Sequence, residues 1–281
     1  MTDIAVIILV GREKLHIRRC LERLMPLEPR QIYVIESQPS DGTHEIAVEM
    51  GVSTAFNKWP GNQAIQFNWA LDHLPINASW ILRLDADEYL FPETIEELRG
   101  LLPRWNGEKV TAGGLPHDVT SLSLSLSRYF CDKPIRFGNP EIELVRLFKR
   151  GYGRSAQSEM DEHIITSEGV QYKLKGKFVD HSLISMDDWR EKHRNYAKRE
   201  ARMAVSGKAN SNKKLYYKLP PYLRAFAYFS YRYFIRFGFI DGYAGWMWHF
   251  WQGLWYRCLV DWQIGRIRTE TQRGCHDVHG K

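Results

Sequence analysis

Cysteine is scarce and unpaired in this chain of 281 residues: the four, at positions 20, 131, 258 and 275, form no Cys-x-x-Cys and share no spacing with histidine. That pattern excludes a zinc knuckle and a dithiol redox pair and reads as reduced thiols in a cytosolic protein. Long apolar runs are missing as well. The longest stretch free of Asp, Glu, Lys and Arg is Gly242–Tyr256, fifteen residues that include His249, short of the about 20 apolar residues that a membrane-spanning helix needs. No Gly-x-Gly-x-x-Gly follows the first apolar segment and no Gly-x-x-x-x-Gly-Lys-Ser/Thr occurs anywhere, which disfavours a dinucleotide Rossmann site and a P-loop. The opening MTDIAVIILVGRE carries Asp3 where a signal peptide carries cations, so Ile4 to Val10 reads as a buried strand. There is no internal repeat and no low-complexity tract.

What is present is an ordinary globular mixture, 44% hydrophobic and 26% charged with a net charge of +6, which rules out a disordered, collagenous or coiled-coil chain. The length suits a catalytic domain with an appendage. The positive charge is local: residues 189–236 hold thirteen Lys and Arg against Glu191 and Glu200. Of the 37 Phe, Trp and Tyr, 18 lie between Tyr216 and Tyr256. Trp and Tyr beside Arg and Lys is the composition of a membrane interface. On a helix Arg224, Arg232 and Arg236 fall within an arc of about 120° and are expected to meet anionic headgroups while Phe226, Phe229 and Tyr233 face elsewhere. The competing readings are an aromatic helical subdomain with a solvated basic face, and a module that grips single-stranded nucleic acid.

The first hundred residues alternate apolar strands with amphipathic helices. Strands are expected at Ile4 to Val10, Gln31 to Ile35, Val52 to Phe56 and Trp80 to Leu84. Helices are expected through Ile17, Cys20, Leu21 and Leu24, through Ala64, Phe67, Leu71 and Leu74, and from Pro92. Such alternation implies a mostly parallel sheet with flanking helices, an α/β fold. Beyond residue 109, Leu122, Leu124 and Leu126 alternate with Ser121, Ser123 and Ser125, a strand with one polar face. Further strands are expected at Ile142 to Phe148, Val170 to Leu174 and Phe178 to Ile184. A helix is expected after Ser185, with Asp188 in capping-box spacing. The linker candidate SGKANSNKK, residues 206–214, divides a sheet domain, 1–205, from an aromatic-rich helical extension, 206–281.

In an open parallel sheet ligands bind outside the carboxyl ends of the strands, where Arg12-Glu13, the loop from Glu36 to Asp41, and Asp85 to Glu88 converge. The sharpest signal is WILRLDADE, an apolar strand that delivers Asp85 and Asp87 one residue apart. Two such carboxylates can hold a hard divalent cation that neutralises a diphosphate. A haloacid-dehalogenase-type phosphatase also uses Asp-x-Asp, but there the pair ends the first strand, and ILVGRE lacks it. Retention of both carboxylates argues against an inactive scaffold.

Taken in order, ILVGRE, IYVIESQPSDGT, GNQAIQFNWAL and WILRLDADEYLFPE resemble the family 2 inverting glycosyltransferases of GT-A fold, in particular bacterial enzymes of lipopolysaccharide core and exopolysaccharide assembly. The resemblance is close over residues 1–100 and weaker in IELVRLFKR, MDEHIITSEGVQYKLKGKFVDHSL and GFIDGYAG. It implies a metal-dependent, hexosyltransferase-like enzyme that uses a nucleoside-diphosphate sugar, most often a UDP-sugar, with Mn²⁺ or Mg²⁺ at Asp85 and Asp87. Glu13, Glu36, Asp41 and Asp85 then belong to the donor site, with Glu36 standing where the family has an Asp for the base or ribose. Phe67 stands at a position often basic in relatives. Inversion needs a carboxylate base, and the MDEH segment offers Asp161 and Glu162, of which only one can face the cleft. His181 is the candidate third metal ligand, and His163 is a second histidine nearby. Arg146 reads either as a phosphate contact or as an edge-strand charge. The implied acceptor is a lipid-linked glycan or lipopolysaccharide, at an anionic membrane surface on the cytoplasmic face, with no nucleic acid expected.

Overall fold

The computed structural model describes residues 1–38, 41–156, 163–207 and 216–278, with side chains as far as Thr271. Internal contacts divide the chain into two units, Met1–Tyr129 with Glu141–Leu183, and Phe130–Pro140 with Ile184–Lys281.

The first unit is built on β1 (Thr2–Val10), β2 (Pro29–Glu36), β3 (Ser53–Phe56) and β4 (Trp80–Asp85), parallel strands in the order β3-β2-β1-β4. Every residue of β1 is buried, because it lies between β2 and β4 with helices on both faces. Its alternation sorts two cores. Ile4, Val6, Ile8 and Val10 pack with Ile17, Cys20, Leu21 and Leu24 of α1 (Ile17–Leu24), whereas Ala5, Ile7 and Leu9 pack with Phe67 and Ala70 of α3 (Gln63–His73). Between them α2 (Thr43–Glu49) follows the β2 loop. Asn62 caps α3, its side-chain oxygen accepting from the N–H groups of Ala64 and Ile65 at 2.7 and 3.2 Å. Two residues after β4 the chain enters β5 (Glu88–Leu90), and Pro92 then opens α4 (Pro92–Leu101) as its proline position requires.

A short hairpin, β6 (Arg104–Trp105) and β7 (Val110–Thr111), meets the start of β1. Past it run β8 (Val119–Phe130), β9 (Lys133–Ile135, in the second unit), β10 (Glu143–Lys149), the hairpin β11 (Gly153–Ser155) with β12 (Ile164–Thr166), and β13 (Val170–Asp180). The main sheet continues from β4 through β10, β8 and β13 to β5. The fold class is the α/β one expected, a mostly parallel first half extended by antiparallel strands, with an aromatic-rich helical region at the C-terminal end.

One local expectation is corrected. The strands anticipated at 170–174 and 178–184 are a single strand, β13, whose register against β8 shifts between Lys173 and Lys177, and which ends at Asp180. The serine face of β8 does not meet water: Ser121 and Ser123 are buried, and Ser125 donates to Glu141 at 2.7 Å. Carboxylates and Lys173 roof that face, so a period-two polar stripe is covered by side chains.

In the second unit α5 (Met186–Val205) starts at Ser185, whose Oγ accepts from the Asp188 N–H at 3.1 Å and donates to the Asp188 carboxylate at 2.7 Å. It packs through Ala197 and Ala201 on Val260 and Ile264 of the long helix Tyr256–Val278. The buried Glu200 accepts from the Tyr256 and Tyr217 hydroxyls at 2.6 and 3.0 Å and pairs with Arg257 at 3.1 Å. The arginine arc anticipated for a membrane is corrected too. Arg224 is buried on Asp261, and Arg232 is buried with its Nε donating to the Gly138 carbonyl at 3.0 Å. Only Arg236 of the three is exposed. Exposed instead are Phe226, Phe234 and Phe237.

His249 is fully buried in this unit, seated so closely that a Cβ on Gly138 or Gly238 would lie 2.4 Å from its ring. Burial, reinforced by the Arg232 cation, holds its pKa down to about 4. The folded pKa is thus below the unfolded value of about 6.5, so the neutral ring stabilises fully above pH 6.5 and that stability is lost as pH falls towards 4, a contribution on the order of 3 kcal/mol. Six of the ten tryptophans lie in this unit. Urea unfolding followed by their fluorescence should show a midpoint that drops between pH 6.5 and 4, and a shallower drop in His249→Phe.

Candidate active site

The parallel strands set the site by register. Leu9 lies beside both Ile35 and Asp85, and Val10 beside Glu36, so the carboxyl ends of β1, β2 and β4 reach one edge together. Glu36 is mostly buried and pairs with His44 Nδ1 at 2.7 Å. That bond, with the attraction of the carboxylate, raises the His44 pKa. Asp41 serves the loop: it accepts from the Thr43 hydroxyl and from the N–H groups of Thr43 and Lys14, at 3.2 and 3.4 Å. Burial pushes its carboxyl up, but those bonds outweigh burial and hold it below the ordinary value. Glu13 accepts from His16 Nδ1 at 2.6 Å, and His16 Nε2 accepts from the Leu183 N–H at 2.9 Å. Glu36 and Asp85 therefore converge as expected, while Glu13 and Asp41 are engaged in holding the rim.

Asp85 differs from these. Its Oδ1 is buried with no hydrogen-bond donor, and the nearest cation, Arg83 Nη2, is 3.9 Å away. Asp87 follows where the chain crosses from β4 to β5, and its carbonyl accepts from the His181 N–H at 3.0 Å, one step past the β5 to β13 ladder. His181 is thus brought to the Asp85–Asp87 pair through the backbone. Its ring stacks on Tyr129, 5.0 Å between centroids at 27°, with Nδ1 3.4 Å from the Tyr89 hydroxyl. Among the described residues no three His, Cys, Asp or Glu side chains are gathered into a metal cage. An unsatisfied carboxylate oxygen beside a second carboxylate does fit a hard cation whose remaining ligands are water and substrate phosphate, the usual state of Mg²⁺ with nucleotides.

Behind the pair lies Glu88, buried and ion-paired with the buried Arg146, its Oε2 accepting from the Asp85 N–H at 2.9 Å. Burial pushes the Glu88 carboxyl well up, against the pull of Arg146, and the nearby Asp85 and Asp87 add to the push. Arg146 is not an edge charge, because β10 is an interior strand between β4 and β8, and its Nη2 donates to the buried Glu88. The thiol of Cys20, 3.9 Å from the Asp85 carbonyl, is pushed far up by burial and is inert.

Sequence reading missed Arg83. It lies over the Phe67 ring at 5.4 Å, donates to Gln63 at 3.3 Å and to the Ser155 hydroxyl at 3.2 Å. Ser155 also exchanges two hydrogen bonds with Asn68, at 2.9 and 3.0 Å. The β11 to β12 hairpin is thereby tied to α3 and β4, and its loop closes where the Ala156 N–H donates to the His163 carbonyl at 2.8 Å. Asp161 and Glu162 lie outside the described residues. An arginine in a strand buried on both faces was the available signal for Arg83, and a third acid directly after Asp-Ala-Asp was the signal for Glu88.

Residues 5–112 match the model of glycosyl transferase family 2. Over that part, well under half of its length, the chain is similar to the family. The match spans β1 to β7 and contains Asp85, Asp87, Glu88 and Arg83. The chain is 30% identical over 153 residues, 52% of its length, to a TPR repeat-containing protein of Synechococcus elongatus, of which it covers 36%. It is 25% identical over 254 residues to an uncharacterized glycosyltransferase of Rickettsia typhi, covering 87% of this chain and 82% of that relative. Among solved structures S. aureus TarS is similar with a TM-score of 0.42 and 14% identity, over 70% of this chain and 39% of that one. The chain therefore spans about a third of the first of these relatives and well under half of TarS. No helix among the described residues is long and apolar enough to cross a membrane.

Proposed function

We propose that the chain moves a sugar, with inversion, from a nucleoside-diphosphate sugar, a UDP-sugar first among candidates, to a lipid-linked glycan or lipopolysaccharide acceptor at the cytoplasmic face of a membrane. The observation that carries this reading is the edge where β1, β2 and β4 end together, with Asp85 Oδ1 buried and lacking a donor. Asp85 and Asp87 would hold Mn²⁺ or Mg²⁺, with His181 the candidate third ligand, and the ion supplies positive charge for the departing diphosphate. Glu36 would read the ribose or base, whose hydroxyl or N–H then competes with His44 for its carboxylate.

In a single displacement the acceptor hydroxyl oxygen bonds to the anomeric carbon as the bond from that carbon to the diphosphate oxygen breaks. Glu162 or Asp161 takes the hydroxyl proton. Arg83 donates to the Ser155 hydroxyl and lies 3.9 Å from Asp85, which supports a link between the β11 to β12 hairpin and the end of β4. Exposed aromatic side chains of the second unit support membrane association.

Calorimetry with UDP, GDP and their common sugar conjugates, with and without Mn²⁺, tests the reading. One nucleotide should bind only with the metal, and the metal alone should bind weakly, because the diphosphate completes its coordination. NMR of the product should show the inverted anomer. No nucleotide binding under either condition, together with salt-sensitive RNA binding, would move the function to a nucleic-acid module.

A further inference from the structure

The second unit contains a cavity of about 440 Å³ lined by Cys131, Lys133, Pro134, Arg136, Asp241 and Tyr243 among others. Its floor is fixed: the Asp241 carboxylate accepts from the N–H groups of Arg136 and Phe137 at 2.9 and 2.8 Å. The backbone at Cys131 and Asp132 is left-handed, φ 49° and 57°, a tight turn that sets Lys133 at the rim. Lys133 and Arg136 are both exposed, so two cations stand at a cavity whose acid is turned inward to the backbone.

One wall of this cavity continues into an apolar surface. Ile240 and Tyr243 line it and are themselves 54% and 74% exposed. Phe239 packs on Phe237 and on Tyr233, at 6.1 and 6.2 Å between centroids, and Phe234 packs on Tyr233 at 5.1 Å. Ile235, 66% exposed, belongs to the same segment. Exposed apolar surface of this kind marks a binding face. A soluble anion would use the two cations and leave the apolar side chains in water. Nucleic acid would use aromatic rings but gains nothing from exposed isoleucines, which cannot stack on bases. An amphiphile with an anionic head and an apolar tail uses both.

We propose that this cavity receives the phosphate of a membrane lipid between Lys133 and Arg136, while Phe234, Ile235, Phe237, Ile240 and Tyr243 enter the headgroup and acyl boundary. The site rests on the membrane part of the function proposed above and gives it a chemical class: a phosphate-bearing lipid, held in the second unit. The buried Arg224 and Arg232 have no part in it. Attachment then depends on apolar insertion, with a headgroup increment from two cations.

Co-sedimentation at physiological salt with vesicles of phosphatidylcholine, alone or doped with phosphatidic acid, tests this. The wild type should bind both and prefer the doped vesicles about tenfold, as two cations near an anionic surface predict. Lys133→Ala/Arg136→Ala should keep the phosphatidylcholine binding and lose the tenfold preference. Ile235→Ser/Phe237→Ser should lose binding to both. Indifference of the wild type to phosphatidic acid, or a preference that survives in the double cation variant, overturns the site. Release of the protein by millimolar inorganic phosphate overturns it in favour of a free-anion pocket, and equal affinity for single-stranded RNA does so in favour of nucleic acid. Mn²⁺-dependent UDP binding, measured on the same samples, should be unchanged in both variants. Its absence from the wild type would overturn the transferase reading while the vesicle result stands separately.

Discussion

Asp87→Ala and Asp85→Asn are each expected to abolish Mn²⁺-dependent binding of the nucleotide and to lower turnover at least about a thousandfold. Several kcal/mol of transition-state charge stabilisation come from a bound cation, and about 4 kcal/mol corresponds to that factor. Asp85 Oδ1 is the buried oxygen without a donor, so Asp85→Asn replaces a charged oxygen ligand with a neutral amide that holds a divalent cation far less tightly. Folding should not suffer. Asp85, Asp87 and Glu88 crowd three carboxylates into four residues, and the first two add to the upward push on Glu88. Removing either relieves repulsion, so the urea midpoint should stay level or rise as nucleotide binding vanishes, the usual opposition of stability and function. Calorimetry and urea unfolding on the same samples read both effects. Metal-dependent nucleotide binding retained by either variant would place the donor site away from the end of β4.

Much of this site was legible because its elements follow strong local rules. β1, β2 and β4 announce themselves as short apolar runs, and α1 buries Ile17, Cys20, Leu21 and Leu24, the residues its spacing selects. Given parallel strands, their carboxyl ends must meet, so Glu36 and Asp85 were found from order alone. What escaped depends on side chains from distant parts of the chain. Arg146 is 58 residues from Glu88, and nothing in LVRLFKR says whether its strand is an edge or an interior one. The arginine arc at 224–236 failed for a related reason. Helical spacing gives a shared face but not the sign of its environment, and Asp261, 37 residues on, turns that face inward at Arg224. The bulge in β13 was read as a break between two strands because Lys175, Gly176 and Lys177 are poor strand formers, although the chain runs through them as one strand.

The Glu88–Arg146 pair carries the other large expected effect. Arg146→Met leaves Glu88 buried without its counter-charge, and breaking a buried pair from one side costs about 3–5 kcal/mol. The loss should depend on pH in a fixed direction. Burial already holds the Glu88 carboxyl above its ordinary value, and without Arg146 it climbs further. A carboxyl raised in the folded state is tolerated while protonated and costs stability as pH rises through the range between its unfolded and folded values. The Arg146→Met deficit should therefore be smallest near pH 5 and grow towards pH 8. Glu88→Gln in the same chain should recover most of it, since the amide oxygen can still accept the Asp85 N–H that Glu88 holds at 2.9 Å. Arg146→Lys keeps a charge but not the planar fork and should lie between the two. Urea midpoints across that pH range check the series. A deficit independent of pH, or one that Glu88→Gln fails to repair, would mean that Arg146 acts through its packing on Phe178, 4.5 Å from the ring centroid, and not through the carboxylate. Nucleotide binding separates the pair's two roles: the double variant, stable again but with Asp85 held by a neutral amide, should bind UDP and Mn²⁺ nearly as well as wild type if Glu88 only positions the Asp85 backbone.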